Sequence, residues 1–147
     1  ALQSNNPQRV IRLLGPVRKL ARSPRDRAIV YYYYGLSQAQ VGSNYAALES
    51  LDMALRQRAM ARDPEARLRY ALARVLAHLE RRDEAIVMLE AALCCLRSET
   101  ADARLLLAHL YNRERKYGKA LMHLEGLARQ FEQLRKRQQV FALMATA

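Results

Sequence analysis

The chain has 147 residues, 51% of them hydrophobic and 27% charged, with a formal net charge of +11. That balance supports one packed domain and excludes a disordered polar tail. Only 5 Gly, 4 Pro and no Trp argue against a many-stranded β fold, and no run of about 18 apolar residues is present to form a membrane-spanning helix.

Leu, Ala, Arg and Glu dominate, a helix-former's composition. Residue 1 is Ala and no secretory signal is visible, so the chain reads as a cut or processed product. The charge is mostly terminal: residues 1–27 carry +6 and residues 135–147 carry +3, from Arg135, Lys136 and Arg137. Such basicity suits an acidic partner, with nucleic acid as the alternative. The two cysteines, Cys94 and Cys95, are adjacent. Neighbouring residues in a helix lie closer than a disulfide spans, so they are expected as thiols. No His or Cys pair has ligand spacing, so neither metal nor cofactor is expected.

In chain order, Asn6-Pro7 opens a helix over 7–22 with Val10, Ile11, Leu14 and Val17 on one stripe, kinked at Gly15-Pro16. Helices follow over 25–41, 44–61, 64–81, 83–97, 99–114, 117–133 and 134–146. The turns read as Val41 to Asn44, Glu80 to Asp83 and Asn112 to Tyr117. Ser43 or Asn44, and Asp83, are candidate caps for the helices that follow. Asp63-Pro64-Glu65 and Ser98-Glu99-Thr100 separate one helix pair from the next.

One inner spacing occurs three times. Gly35 is followed by Ala47, Ala73 by Ala85 and Ala108 by Ala120, each 12 residues later. Leu51 and Ala54, Leu89 and Ala92, and Leu124 and Leu127 then extend each second helix. Small residues at matched places let the helices of a hairpin approach closely, and large neighbours fill the next layer.

The pattern resembles the tetratricopeptide repeat (TPR), W-x2-L-G-x2-Y…A-x3-F…P at about 34 residues per unit. The resemblance covers residues 28–134. Tyr31 stands in the Trp place, with Arg69 and Arg104 there in the next units. Tyr111 matches the Tyr, where Gln38 and Leu76 stand in the others. The implied fold is all-α, a right-handed TPR-like superhelix of antiparallel hairpins forming one domain. Residues 7–24 form one helix of a partial repeat; 28–65, 66–100 and 101–134 are repeats. Residues 135–147 are a capping helix or a truncated repeat. The first unit runs about four residues long, accommodated by an extra helical turn at Arg56 to Arg62. The chain thus reads as a window of a longer array or a short array with atypical caps.

No Gly-rich phosphate loop, H-E-x-x-H or G-x-S-x-G occurs, so a non-enzymatic protein is expected. The resemblance implies a concave groove lined by the first helix of each pair. Its groove positions are Tyr32, Tyr33, Leu36 and Gln40 in the first unit, and Arg67, Tyr70, Arg74 and His78 in the second. In the third they are Leu105, His109, Asn112 and Arg113. Of Tyr31 to Tyr34, two are expected in the core and two in the groove. Relatives that clamp a terminal carboxylate use Lys and Asn where Tyr32 and Leu36 stand, and neither makes that clamp. The expected function is a scaffold or adaptor that takes an acidic peptide or helix with apolar anchors. The alternatives are a polyanion binder acting through the basic termini, and a secretion-type chaperone. End-to-end self-association is also open to such a fold.

Overall fold

The computed structural model describes residues 6–97 and 100–146. Seven helices and no strand occur among them: α1 (Pro7–Val17), α2 (Pro24–Gln40), α3 (Asn44–Arg56), α4 (Arg62–His78), α5 (Arg82–Leu93), α6 (Thr100–Arg113) and α7 (Tyr117–Thr146). The chain divides into two compact units, residues 1–98 and 99–147. In the first, α1 packs on α2, α2 pairs with α3, α3 packs on α4, and α4 pairs with α5. In the second, α6 pairs with α7.

Each hairpin closes through the same turn. Three residues join α2 to α3, α4 to α5 and α6 to α7. The middle one is left-handed each time, with φ 86° at Gly42, 60° at Glu80 and 59° at Arg115. The next amide reaches back across the helix end: Ser43 N–H to Gln38 C=O at 2.9 Å, Arg81 N–H to Leu76 C=O at 2.9 Å, and Lys116 N–H to Tyr111 C=O at 2.8 Å. This is the Schellman arrangement, which satisfies carbonyls that the last helical turn leaves open. Ser43 and Arg81 occupy the N-cap places of α3 and α5 without a side-chain capping hydrogen bond; the Arg81 guanidinium instead pairs with Glu84. The caps expected from Ser43 and Asp83 are therefore absent. Asp83 instead lies in the first turn of α5, where its charge meets the helix dipole. Side-chain caps do form at Asn6, whose Oδ1 accepts from Arg9 N–H, and at Ser23, whose Oγ accepts from Asp26 N–H.

The small residues lie where the spacing places them. Ala47, Ala73 and Ala85 are fully buried, and Ala108 and Ala120 are nearly so. Gly35 meets α3 one turn beyond Ala47. A Cβ there would sit 2.7 Å from Leu51 Cγ and 3.2 Å from its backbone nitrogen. The core of the first unit joins Ala47, Leu51 and Ala54 of α3 to Leu68, Ala71, Leu72 and Val75 of α4. Tyr31, Tyr32 and Leu36 of α2 pack against it. In the two units with Arg in the Trp place, the side chain is accommodated differently. Arg69 pairs with Glu65 one turn back at 2.6 Å, and the Arg104 guanidinium lies beside Gly126, whose missing side chain leaves it room.

Several boundaries differ from the sequence reading. α1 runs through Gly15-Pro16 and stops at Val17, followed by a turn rather than helix to 22. α5 ends at Leu93, and Cys94 and Cys95 beyond it are both free thiols. The extra helical turn expected at Arg56 to Arg62 is a connector, 57–61, with Arg58 at φ 48°. Tertiary contacts override helix propensity there: Arg27 Nε donates to Gln57 Oε1 at 3.2 Å, and Met60 packs on the core. The separate helices expected over 117–133 and 134–146 are one continuous α7, so a boundary at 134 falls inside it. No Gly, Pro, Asn, Asp or Ser follows Gly126 up to Thr146, so nothing stops the helix. The junction read at Ser98-Glu99 lies outside the described residues. No helix among the described residues is long and apolar enough to cross a membrane.

Candidate functional site

Two helical stripes face each other in the first unit. On α2, Arg25, Ile29, Tyr32, Leu36 and Ala39 recur at steps of three and four, which places them on one side. On α4, Pro64, Arg67, Ala71, Arg74 and His78 do the same. The stripes enclose two cavities. The first, about 440 Å³, is lined by Arg25, Ile29, Tyr32 and Tyr33 of α2, by Ala59, Met60 and Ala61 of the connector, and by Pro64 and Arg67 of α4. The second, about 170 Å³, is lined by Leu36, Ala39 and Gln40 of α2, Leu51 of α3, and Ala71, Arg74, Val75 and His78 of α4. The first uses the N-terminal halves of α2 and α4 and the second their C-terminal halves. The two helices therefore run in the same direction with the cavities in series between them.

The four tyrosines of α2 divide by helix geometry. Tyr34 is buried beneath the Arg18 guanidinium, 4.7 Å from the ring centroid. Tyr31 and Tyr32 are half-buried against the core, and Tyr33 is the most exposed at 38%. The Tyr32 and Tyr33 rings tilt together, 5.3 Å between centroids, and present an aromatic wall to the larger cavity. Neither cavity is lined by an acid. Arg67 has a partner in Asp63 at 3.3 Å, which leaves Arg25, Arg74 and His78 to set the polarity of the groove.

Seven of the residues expected to line a groove therefore meet at these cavities: Tyr32, Tyr33 and Arg67 at the first, and Leu36, Gln40, Arg74 and His78 at the second. Tyr70 does not. It is 9% exposed, and Arg74 lies over its ring at 5.8 Å. The ring is buried rather than open to the cavities. In the second unit, His109, Asn112 and Arg113 are exposed on α6, as is Leu105. Tyr111 is buried and stacks on His123 at 5.8 Å. Arg25, Ile29, Met60 and Pro64 are lining residues the sequence reading missed. The α2 stripe carries Arg25 two turns and Ile29 one turn before Tyr32, a legible signal. Met60 had none, since it sits in a connector that reads as helix.

No protein-family model matches the chain, and no curated protein matches its sequence. Among solved structures, the crystal structure of MamA, a TPR-like all-helical protein, matches with a TM-score of 0.66 over 91% of this chain and 83% of that one, at 18% identity. The fold is all-α and TPR-like. At that identity the likeness speaks to the fold alone.

Proposed function

We propose that this protein is a non-enzymatic interaction scaffold that takes an acidic segment of a partner protein between α2 and α4. The observation that carries the reading is the pair of cavities in series, walled by Tyr32, Tyr33, Leu36 and Met60 and lined by basic side chains without an acid. Tyrosine supplies apolar area with a polar tip at low entropic cost. Arg25 and Arg74 can pair bidentately with Asp or Glu. An apolar anchor fits the larger cavity, with carboxylates beside it.

The test is selection from a randomised displayed peptide library on the immobilised protein. Acidic peptides with Leu, Phe or Trp anchors are expected. Arg74→Glu and Tyr33→Ala should each weaken them by about tenfold or more, with thermal melting unchanged. Selected peptides that bind Arg74→Glu as well as the unaltered chain would sink the groove.

A second reading rests on a different observation. Residues 6–25 carry six basic residues and no acid, and Arg9, Arg12, Lys19, Arg22 and Arg25 are exposed. Such a surface suits a polyanion. Binding of single-stranded DNA that falls steeply and log-linearly with salt supports it; groove binding of a peptide falls only modestly.

A further inference from the structure

α7 outruns its hairpin. α6 has 14 residues and α7 has 30. Gln130 donates from Nε2 to Thr100 Oγ1 at 3.5 Å, which sets the first residue of α6 level with Gln130. From 131 to 146 the helix continues for about 24 Å, and every residue in that stretch is exposed.

The apolar pattern does not stop where the hairpin does. From Ala120, steps of four and three run on through Leu124, Leu127, Phe131 and Leu134 to Phe141, interrupted in polarity only by Gln138. This is the spacing by which two helices interlock side chains along a seam. The first half of the seam is used in part: Ala120 and Leu127 are buried, with Leu124 between them 44% exposed. The second half is not, with Phe131 55% and Phe141 70% exposed. Large apolar side chains this dense on a projecting helix mark a surface that another element covers.

The flanks say what covers it. Along the overhang, the positions bordering the seam hold two charges, Arg135 and Arg137, and both are basic. Lys136 between them faces the opposite side, where Glu132 pairs with it at 3.0 Å. We propose that residues 131–145 of α7 form a docking strip for an amphipathic helix of another protein whose seam-flanking residues are acidic. A second copy of this chain fits poorly. It would bring only cations to the flanks, and each copy carries +11, so like charges would face each other. Gln138 in the middle of the seam fixes register by rejecting an apolar partner residue opposite it. The strip is independent of the α2–α4 groove and does not rest on that reading.

Two synthetic helices of about three heptads test the proposal, both with Leu along the seam and Asn at the one place that meets Gln138, one with Glu and one with Lys at the flanks. Each is titrated into the intact chain by fluorescence anisotropy, with sedimentation of the chain alone in parallel. The Glu helix should bind, and the Lys helix at least about tenfold more weakly. Arg135→Glu combined with Arg137→Glu should reverse that order. Phe141→Asp should abolish binding with the helical melt unchanged, because its side chain is solvent-exposed. Arg74→Glu, in the groove, should leave it untouched. Equal binding of the two helices, binding of neither, or a dimer of the chain alone that Phe141→Asp dissolves would each overturn the proposal, the last by assigning the strip to a second copy.

Discussion

Ser50 Oγ donates a hydrogen bond to Gln38 Oε1 at 2.6 Å across the α2–α3 hairpin, with both residues buried. They stand 12 residues apart, the step that also separates Gly35 from Ala47. Gln38 holds the place where the TPR pattern has Tyr, and Ser50 is its answer on the facing helix. A buried amide without such a partner is costly, so the pair also resists a slip of α2 along α3. Ser50→Ala should cost about 1–3 kcal/mol, because it strands the Gln38 carbonyl. Adding Gln38→Leu should recover most of that loss. Urea unfolding of the four variants in the cycle measures it.

The three left-handed turn residues give a second expectation. Only the first turn uses Gly; Glu80 and Arg115 hold the same backbone at a penalty of roughly 1 kcal/mol for an L side chain. Glu80→Gly and Arg115→Gly should each raise stability by about that amount, and Gly42→Val should lower it by more. Melting temperatures of single variants decide the sign. No change at both Glu80 and Arg115 would mean that the turns relax freely.

Close helix approach can be tested at the small residues. Gly35→Ala would press a methyl group into Leu51, with the backbone nitrogen of Leu51 at 3.2 Å, and should cost about 1–3 kcal/mol. Ala85→Leu and Ala120→Leu should overpack their hairpins by a similar amount. Gly126→Ala meets only the tip of the Arg104 side chain at 3.0 Å. That tip can move, and alanine favours the helix, so this variant should be neutral or stabilised by several tenths of a kcal/mol. Denaturant midpoints in the reverse order would show that α2 and α7 pack differently from this account.

Tyr70 and Arg74 should separate stability from binding. Tyr70→Ala removes a buried ring and should cost about 3–5 kcal/mol of folding. Arg74→Glu changes an exposed groove residue and should leave the melt within about 0.5 kcal/mol. A Tyr70→Ala variant that melts like the unaltered chain would place that ring in the groove after all.

Most of the helices, their hairpin pairing and the burial of the small residues were legible in the sequence, because each depends on local periodicity and on side-chain size at a fixed spacing. Gly35, Ala73 and Ala108 with their partners announce close approach wherever the hairpins end up. Part of the lining of the two cavities was legible for the same reason, since Tyr32, Leu36, Arg67 and Arg74 fall on stripes that helical geometry sets. Other features were decided only by tertiary structure. The chain from Arg56 to Arg62 has helical propensity, yet it opens into a connector because Arg27 holds Gln57 and the core takes Met60. Tyr70 reads as a groove residue, yet it is buried, with the Arg74 guanidinium over its ring. Gln38 reads as a mismatch until Ser50 is brought opposite it. For the connector and for Gln38 the deciding energy comes from a residue distant in sequence, which no local pattern contains.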